Sequence, residues 1–66
     1  ALRDAFRRFL PKLRPTARMI FLRRYWLCLS AQEIAAETGC SVSLVNTSLM
    51  RTRNKLKVFL EKEELL

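Results

Sequence analysis

Histidine is missing from the chain altogether, and its 66 residues include one glycine, two prolines and two cysteines. Each shortage excludes something. Without histidine, and with only Cys28 and Cys40 as thiols, no zinc site of the cysteine–histidine kind can be assembled. General acid–base catalysis loses its commonest agent, and Gly39 alone cannot make a glycine-rich phosphate loop, so neither an enzyme nor a cofactor or metal site is expected. Two cysteines are too few to staple a fold, and both are expected to be buried thiols. Turn chemistry for hairpins is scarce as well, whereas good helix formers are plentiful, which points to an all-α domain. No apolar run approaches the roughly 18 residues of a membrane span. The chain starts at Ala1 with no signal-peptide pattern, and a chain this short is compatible with an excised piece of a longer one.

Acidic residues are the other shortage: six Asp and Glu stand against 13 Lys and Arg, for a net charge of +7. An acidic partner, nucleic acid first among them, is the usual reason for such an imbalance; a basic face that only keeps the domain soluble is the alternative. Half of the residues are apolar, too many for a disordered tail. We therefore expect one small folded domain over 1–66, burying only about 60% of the surface its unfolded chain exposes.

Four helices emerge from the pattern. Leu2, Phe6, Phe9, Leu10 and Leu13 recur at three- and four-residue steps with cations between them, giving an amphipathic first helix that Pro11 stops or kinks. Pro15 suits a first helical turn and biases Arg14 towards an extended backbone, so a second helix begins there and ends near Trp26 to Cys28. Its apolar residues, among them Met19, Ile20, Phe21, Leu22, Tyr25 and Trp26, wrap most of the circumference and predict a central position. Ser30-Ala31-Gln32-Glu33 is a capping box and Leu29 with Ile34 a hydrophobic staple, which predicts a third helix over about 31–38 closed by Gly39. Glu33 and Glu37 lie one turn apart, but Glu33 is explained by the box. Only Cys40 precedes Ser41, a second N-cap, with Cys40 and Val45 placed as a second staple.

The fourth helix is long. Val42, Val45, Leu49, Thr52, Leu56 and Phe59 form one stripe predicted to face the core. The opposite face carries Ser43, Thr47, Met50 and Asn54, flanked by Asn46 and Arg51 and followed by Arg53, Lys55 and Lys57. A helix-turn-helix needs a small residue inside its first helix, a glycine in the turn and apolar residues locking the pair; Ala35, Gly39, Ile34, Cys40 and Val45 fill those places. The motif is expected over about 30–60, in a small four-helix domain with a long C-terminal recognition helix. An ordinary helical hairpin with a solvated polar face is the alternative, but a hairpin alone requires no row of hydroxyl and amide side chains opposite the core.

Eight cations lie between Arg3 and Arg24, five between Arg51 and Lys62, and none from 25 to 50. Phosphate contacts supply affinity and base edges supply sequence choice, and the two tasks separate along this chain. Ser43, Asn46 and Thr47 suit base edges; Arg51, Arg53 and Lys55 suit phosphates, with Arg51 also able to reach a guanine edge.

From about Leu13 to Leu60 the chain resembles region 4 of the sigma-70 family of RNA polymerase initiation factors, specifically the extracytoplasmic-function type. The residues that carry the resemblance are Arg18-Met19-Ile20-Phe21-Leu22-Arg23-Arg24-Tyr25-Trp26, Leu29-Ser30 with Glu33-Ile34-Ala35, Gly39-Cys40-Ser41 with Val45, and Leu49 with Arg51-Thr52-Arg53 and Lys55-Leu56. The resemblance implies a cytoplasmic, non-enzymatic domain that reads the promoter element near position minus thirty-five and docks on the β-subunit flap of the polymerase. By position it turns Asn46, Thr47, Met50 and Arg51 to double-stranded promoter DNA, with Ser43 near the backbone. Three departures stand out. Family members often carry basic residues where Asn46 and Ser48 stand, and glycine where Cys28 stands, which predicts a less sharp end to the second helix. Glu61 to Leu66 belongs to no DNA-reading pattern. A competing reading is a protein-binding module in which Leu22, Trp26, Leu27, Leu65 and Leu66 dock on the polymerase or on an anti-sigma factor, with DNA contact minor.

Overall fold

The longest element sets the dimensions of the molecule. In the computed structural model, which describes residues 2–64, helix α4 (Val42–Lys62) has 21 residues, and at about 1.5 Å per residue it runs about 32 Å. The whole domain measures 36 × 18 × 17 Å, so the other elements are packed along the flank of this one helix. They are α1 (Leu2–Phe9), a 3-10 turn over Leu10–Lys12, α2 (Pro15–Tyr25) and α3 (Ala31–Thr38). The architecture is all-α with four helices, as the periodicity predicts.

Local chemistry accounts for each boundary. Pro11 turns the end of α1 into the 3-10 segment, and Leu13 then leaves in an extended conformation. Arg14 is extended too (φ −63°, ψ 151°) and Pro15 opens α2. Before α3 the Ser30 hydroxyl accepts from the Glu33 N–H (3.1 Å), and the Ser30 N–H donates back to the Glu33 carboxylate (2.9 Å), which completes the capping box. Gly39 takes the left-handed conformation (φ 75°) and its N–H donates to the Ala35 carbonyl (3.0 Å). No neighbour would meet a Cβ there, so the backbone angle alone calls for glycine. The Ser41 hydroxyl accepts from the Leu44 N–H (3.0 Å) and caps α4, which begins at the next residue.

Two apolar clusters hold the elements together. Ala5, Phe9, Leu13, Phe21 and Phe59 join α1, α2 and the C-terminal part of α4. Here Phe9 lies 5.4 Å from Phe59 between ring centroids, the Lys12 ammonium sits 4.7 Å from the Phe59 ring, and Arg8 pairs with Glu63. Ile20, Ile34, Val45 and Leu49 form the second cluster, joining α2, α3 and the N-terminal part of α4, with Leu29, Ala35 and Cys40 packed against it. All four residues of the two predicted staples thus meet in one cluster. Helix α2 contributes Ile20 to one cluster and Phe21 to the other, which is the central position its composition predicts.

Three expectations need correction. Val42 is 37% exposed although it shares a helix face with Leu49. It is the first residue of α4, so the face is right but the helix end has no neighbour to cover it; burial begins at Val45. Cys28 is exposed rather than buried, and Cys40 is only half-buried. The absence of glycine at 28 does not blunt the end of α2 either. Cys28 itself adopts φ 58°, while the Leu27 N–H donates to Leu22 O (3.3 Å) and the Leu29 N–H to Arg23 O (3.0 Å).

A left-handed residue with a Cβ costs about 1–2 kcal/mol, and glycine returns part of that gain through its larger unfolded-state entropy. Cys28→Gly is therefore expected to stabilise the domain by about 0.5–1 kcal/mol, raising the melting temperature by a few degrees. A lowered melting temperature in calorimetry would show that the thiol contributes packing its exposure conceals.

Candidate nucleic-acid interface

Once Val45, Leu49, Thr52 and Phe59 are buried, the rotation of α4 is fixed and its outer face follows. With successive side chains about 100° apart, Ser43 and Met50 lie at the crest, within about 20° of each other. Thr47, Arg51 and Lys55 fall about 40°, 80° and 120° to one side, and Asn46 and Arg53 about 60° and 80° to the other. Ser43, Asn46, Arg51, Arg53 and Lys55 are exposed, Met50 is 50% exposed and Thr47 is half-buried. None of the crest residues packs into the core, so this surface presents hydroxyl, amide and thioether tips to solvent.

The two flanks differ in company. On one side Ser43, Thr47, Arg51 and Lys55 border a groove whose opposite lip is Arg14, at the start of α2. On the other, Asn46 and Arg53 border a groove shared with Arg24, Gln32 and Glu33. The cations of this second flank are engaged: Arg53 Nη1 donates to the Tyr25 hydroxyl (3.3 Å) and Arg24 Nη1 to the Leu29 carbonyl (3.3 Å). The seven sequence-predicted residues thus share one helix face but divide between its two sides. Arg14 and Gln32, which pattern reading missed, join them only through packing of α2 and α3 on α4. No feature near either residue in the chain signals this.

Negative charge is present but managed. Glu37 accepts from Arg23 (3.2 Å), which pairs its charge while leaving it at the surface. Glu33 has its pKa held below the ordinary value, first by the Ser30 N–H that donates to its carboxylate and second by the Ser30 hydroxyl, with burial opposing weakly.

A separate apolar surface lies away from the crest. Trp26 is 78% and Leu27 59% exposed, and with Leu10 and Leu22 they border one shallow groove. Leu65 and Leu66, expected to share in docking, lie outside the described residues. Among the described residues no helix is long and apolar enough to cross a membrane, and no cluster of acidic residues and thiols could hold a metal ion.

A family model described as sigma-70, region 4, matches residues 3–56, which covers the helices apart from the first residue of α1 and the last turns of α4. No curated protein and no solved structure matches the chain.

The Glu33 geometry has a pH consequence. Its pKa in the folded domain is lower than in the unfolded chain, so its stabilising contribution is fully present above the ordinary value of 4.5 and disappears as pH falls through the lowered one. Glu33→Gln is expected to lower the melting temperature at neutral pH, with the difference from wild type shrinking on acidification. A difference that stayed constant down to the lowest pH would place the loss in packing instead.

Proposed function

We propose that this chain, which belongs to the sigma-70 region 4 family, reads the promoter element near position minus thirty-five within an initiation factor of the extracytoplasmic-function type. Family membership makes it a sigma-factor domain that binds DNA in transcription initiation and works with RNA polymerase. The finer reading rests on one observation above all: the crest of α4 exposes Ser43 and Met50, with Asn46 and Thr47 beside them, while the opposite stripe is locked in the core.

A major groove about 12 Å wide admits one helix and leaves a phosphate wall on each side. A helix seated with Ser43 and Met50 towards the floor brings Asn46 and Thr47 to base edges, the Met50 thioether to thymine methyls and Arg51 to a guanine edge. Lys55 then faces one wall and Arg53 the other. Residues 1–66 act as one unit in this reading, in the cytoplasm, with no chemistry of their own. The exposed Trp26 and Leu27, beside Leu10 and Leu22, favour a second and compatible function, docking on the polymerase β flap or on an anti-sigma factor.

Selection of duplexes from a random pool tests the assignment. Wild type is expected to retain a narrow set of sequences. Arg51→Ala should relax the choice at one or two positions, at a cost of about 1–3 kcal/mol for the preferred site, whereas Lys55→Ala should weaken all sequences alike. An Arg51→Ala protein that selects the wild-type set with wild-type affinity would remove Arg51 from the base-reading group.

A further inference from the structure

We infer that Arg14, at the junction of α1 and α2, grips a DNA backbone phosphate on the Thr47–Arg51–Lys55 side of the recognition helix, an inference that rests on the DNA-reading proposal above. Arg14 occupies the N-cap of α2, a place where a side-chain oxygen usually accepts from the first turn. A guanidinium has no acceptor, and the Arg14 side chain makes no capping hydrogen bond, so helix initiation leaves it unused. Pro15 and the extended Arg14 backbone suffice to start the helix.

The position of the side chain is specific all the same. Packing of α2 on α4 puts it on the lip of the groove opposite Ser48, Arg51 and Lys55, about forty residues away in sequence from the last two. Three exposed cations border this groove and no carboxylate does. None of the three side chains has a hydrogen bond or ion pair with any described residue. Like charges gathered without an internal counterion repel one another, and an anion laid between them relieves that repulsion.

The other flank of α4 supports the assignment by contrast. There Glu33 contributes a carboxylate held firmly in its ionised form, and Arg24 and Arg53 already donate to protein oxygens. The Arg14 side thus offers cations with no protein partner, whereas Arg24 and Arg53 on the Glu33 side are already engaged. The planar fork of a guanidinium suits a phosphate, to which it donates two parallel N–H bonds. Arg14 on one lip with Lys55 on the other would hold the strand that lines the major groove beside α4. This contact fixes the register of the helix and carries no sequence information of its own.

The test is a salt titration of the 66-residue chain on a fluorescent duplex drawn from the selected pool and on an unrelated duplex. Arg14→Ala is expected to weaken both several-fold and to make the slope of log affinity against log salt shallower by about one, with the selected sequences unchanged. Arg14→Lys should keep the wild-type slope, a rescue that a purely structural role would not produce. Arg14 is exposed and uncapped, so the melting temperature should not move; if alanine lowers it, Arg14→Gln makes the same comparison. Wild-type slope and affinity in Arg14→Ala, together with altered selection in Arg51→Ala, would overturn this inference and leave the DNA-reading proposal standing. Failure of the wild-type chain to bind any duplex at low salt would overturn both.

Discussion

Ile20, Ile34 and Val45 are fully buried against one another, one from each of α2, α3 and α4. Everything on the outer surface depends on this three-way contact, because it fixes the rotation of α4 about its own axis. A turn of α4 by one residue, about 100°, would take Ser43 and Met50 off the crest and bring the Asn46 or the Lys55 flank towards it. Truncating a buried isoleucine to alanine costs about 2–5 kcal/mol, a large share of the 5–15 kcal/mol that holds a small domain folded. The same apolar atoms that stabilise the fold therefore set which side chains face outward, and stability and recognition are not separable at these three positions.

Helix α2 carries that constraint to the rest of the molecule. Ile20 sits in the helix-turn-helix cluster and its neighbour Phe21 in the aromatic cluster with Phe9 and Phe59. One turn further on, the Tyr25 ring lies 4.8 Å from that of Phe21, tilted by 39°, and its hydroxyl accepts from Arg53. The aromatic cluster thereby orients a cation on the outer flank of α4. The exposed Trp26 and Leu27 follow directly, at the end of the same helix. One central element thus connects the core, an edge of the proposed DNA-facing surface and the apolar surface proposed for protein docking.

Legibility in the sequence tracked the range of the interaction. The capping box at Ser30 and Glu33, the αL glycine at 39 and the second cap at Ser41 are set by residues within a few positions of one another, and the pattern locates them correctly. The α4 stripe was also legible, because helical geometry alone relates Val45 to Leu49 and Phe59. Val42 was misjudged because periodicity reports a face and not whether a neighbour reaches the end of it. The exposure of Cys28 was missed because a thiol is usually buried, whereas this one occupies the left-handed turn that ends α2. The place of Arg14 beside Arg51 and Lys55 is not legible in the sequence, because they border one groove only after α2 packs on α4.

The distribution of charge bears on how such a domain earns its affinity. Several of the 13 cations are engaged elsewhere, with Arg8 on Glu63, Lys12 over Phe59 and Arg23 on Glu37. Few cations remain beside α4, and each phosphate neutralised contributes about 0.9 to the salt slope, so a contact made by three or four of them is electrostatically modest. Sequence choice, by contrast, needs only a few well-placed base contacts, each discriminating by about 1–3 kcal/mol. A domain built in this way is better at choosing than at holding. Attachment to a larger assembly supplies the missing affinity by raising the local concentration of the reading helix without any new contact to DNA. The exposed Trp26 and Leu27 suit that attachment because their groove includes no residue of α4, so the proposed docking through them would leave Ser43, Met50 and Arg51 free for the proposed reading.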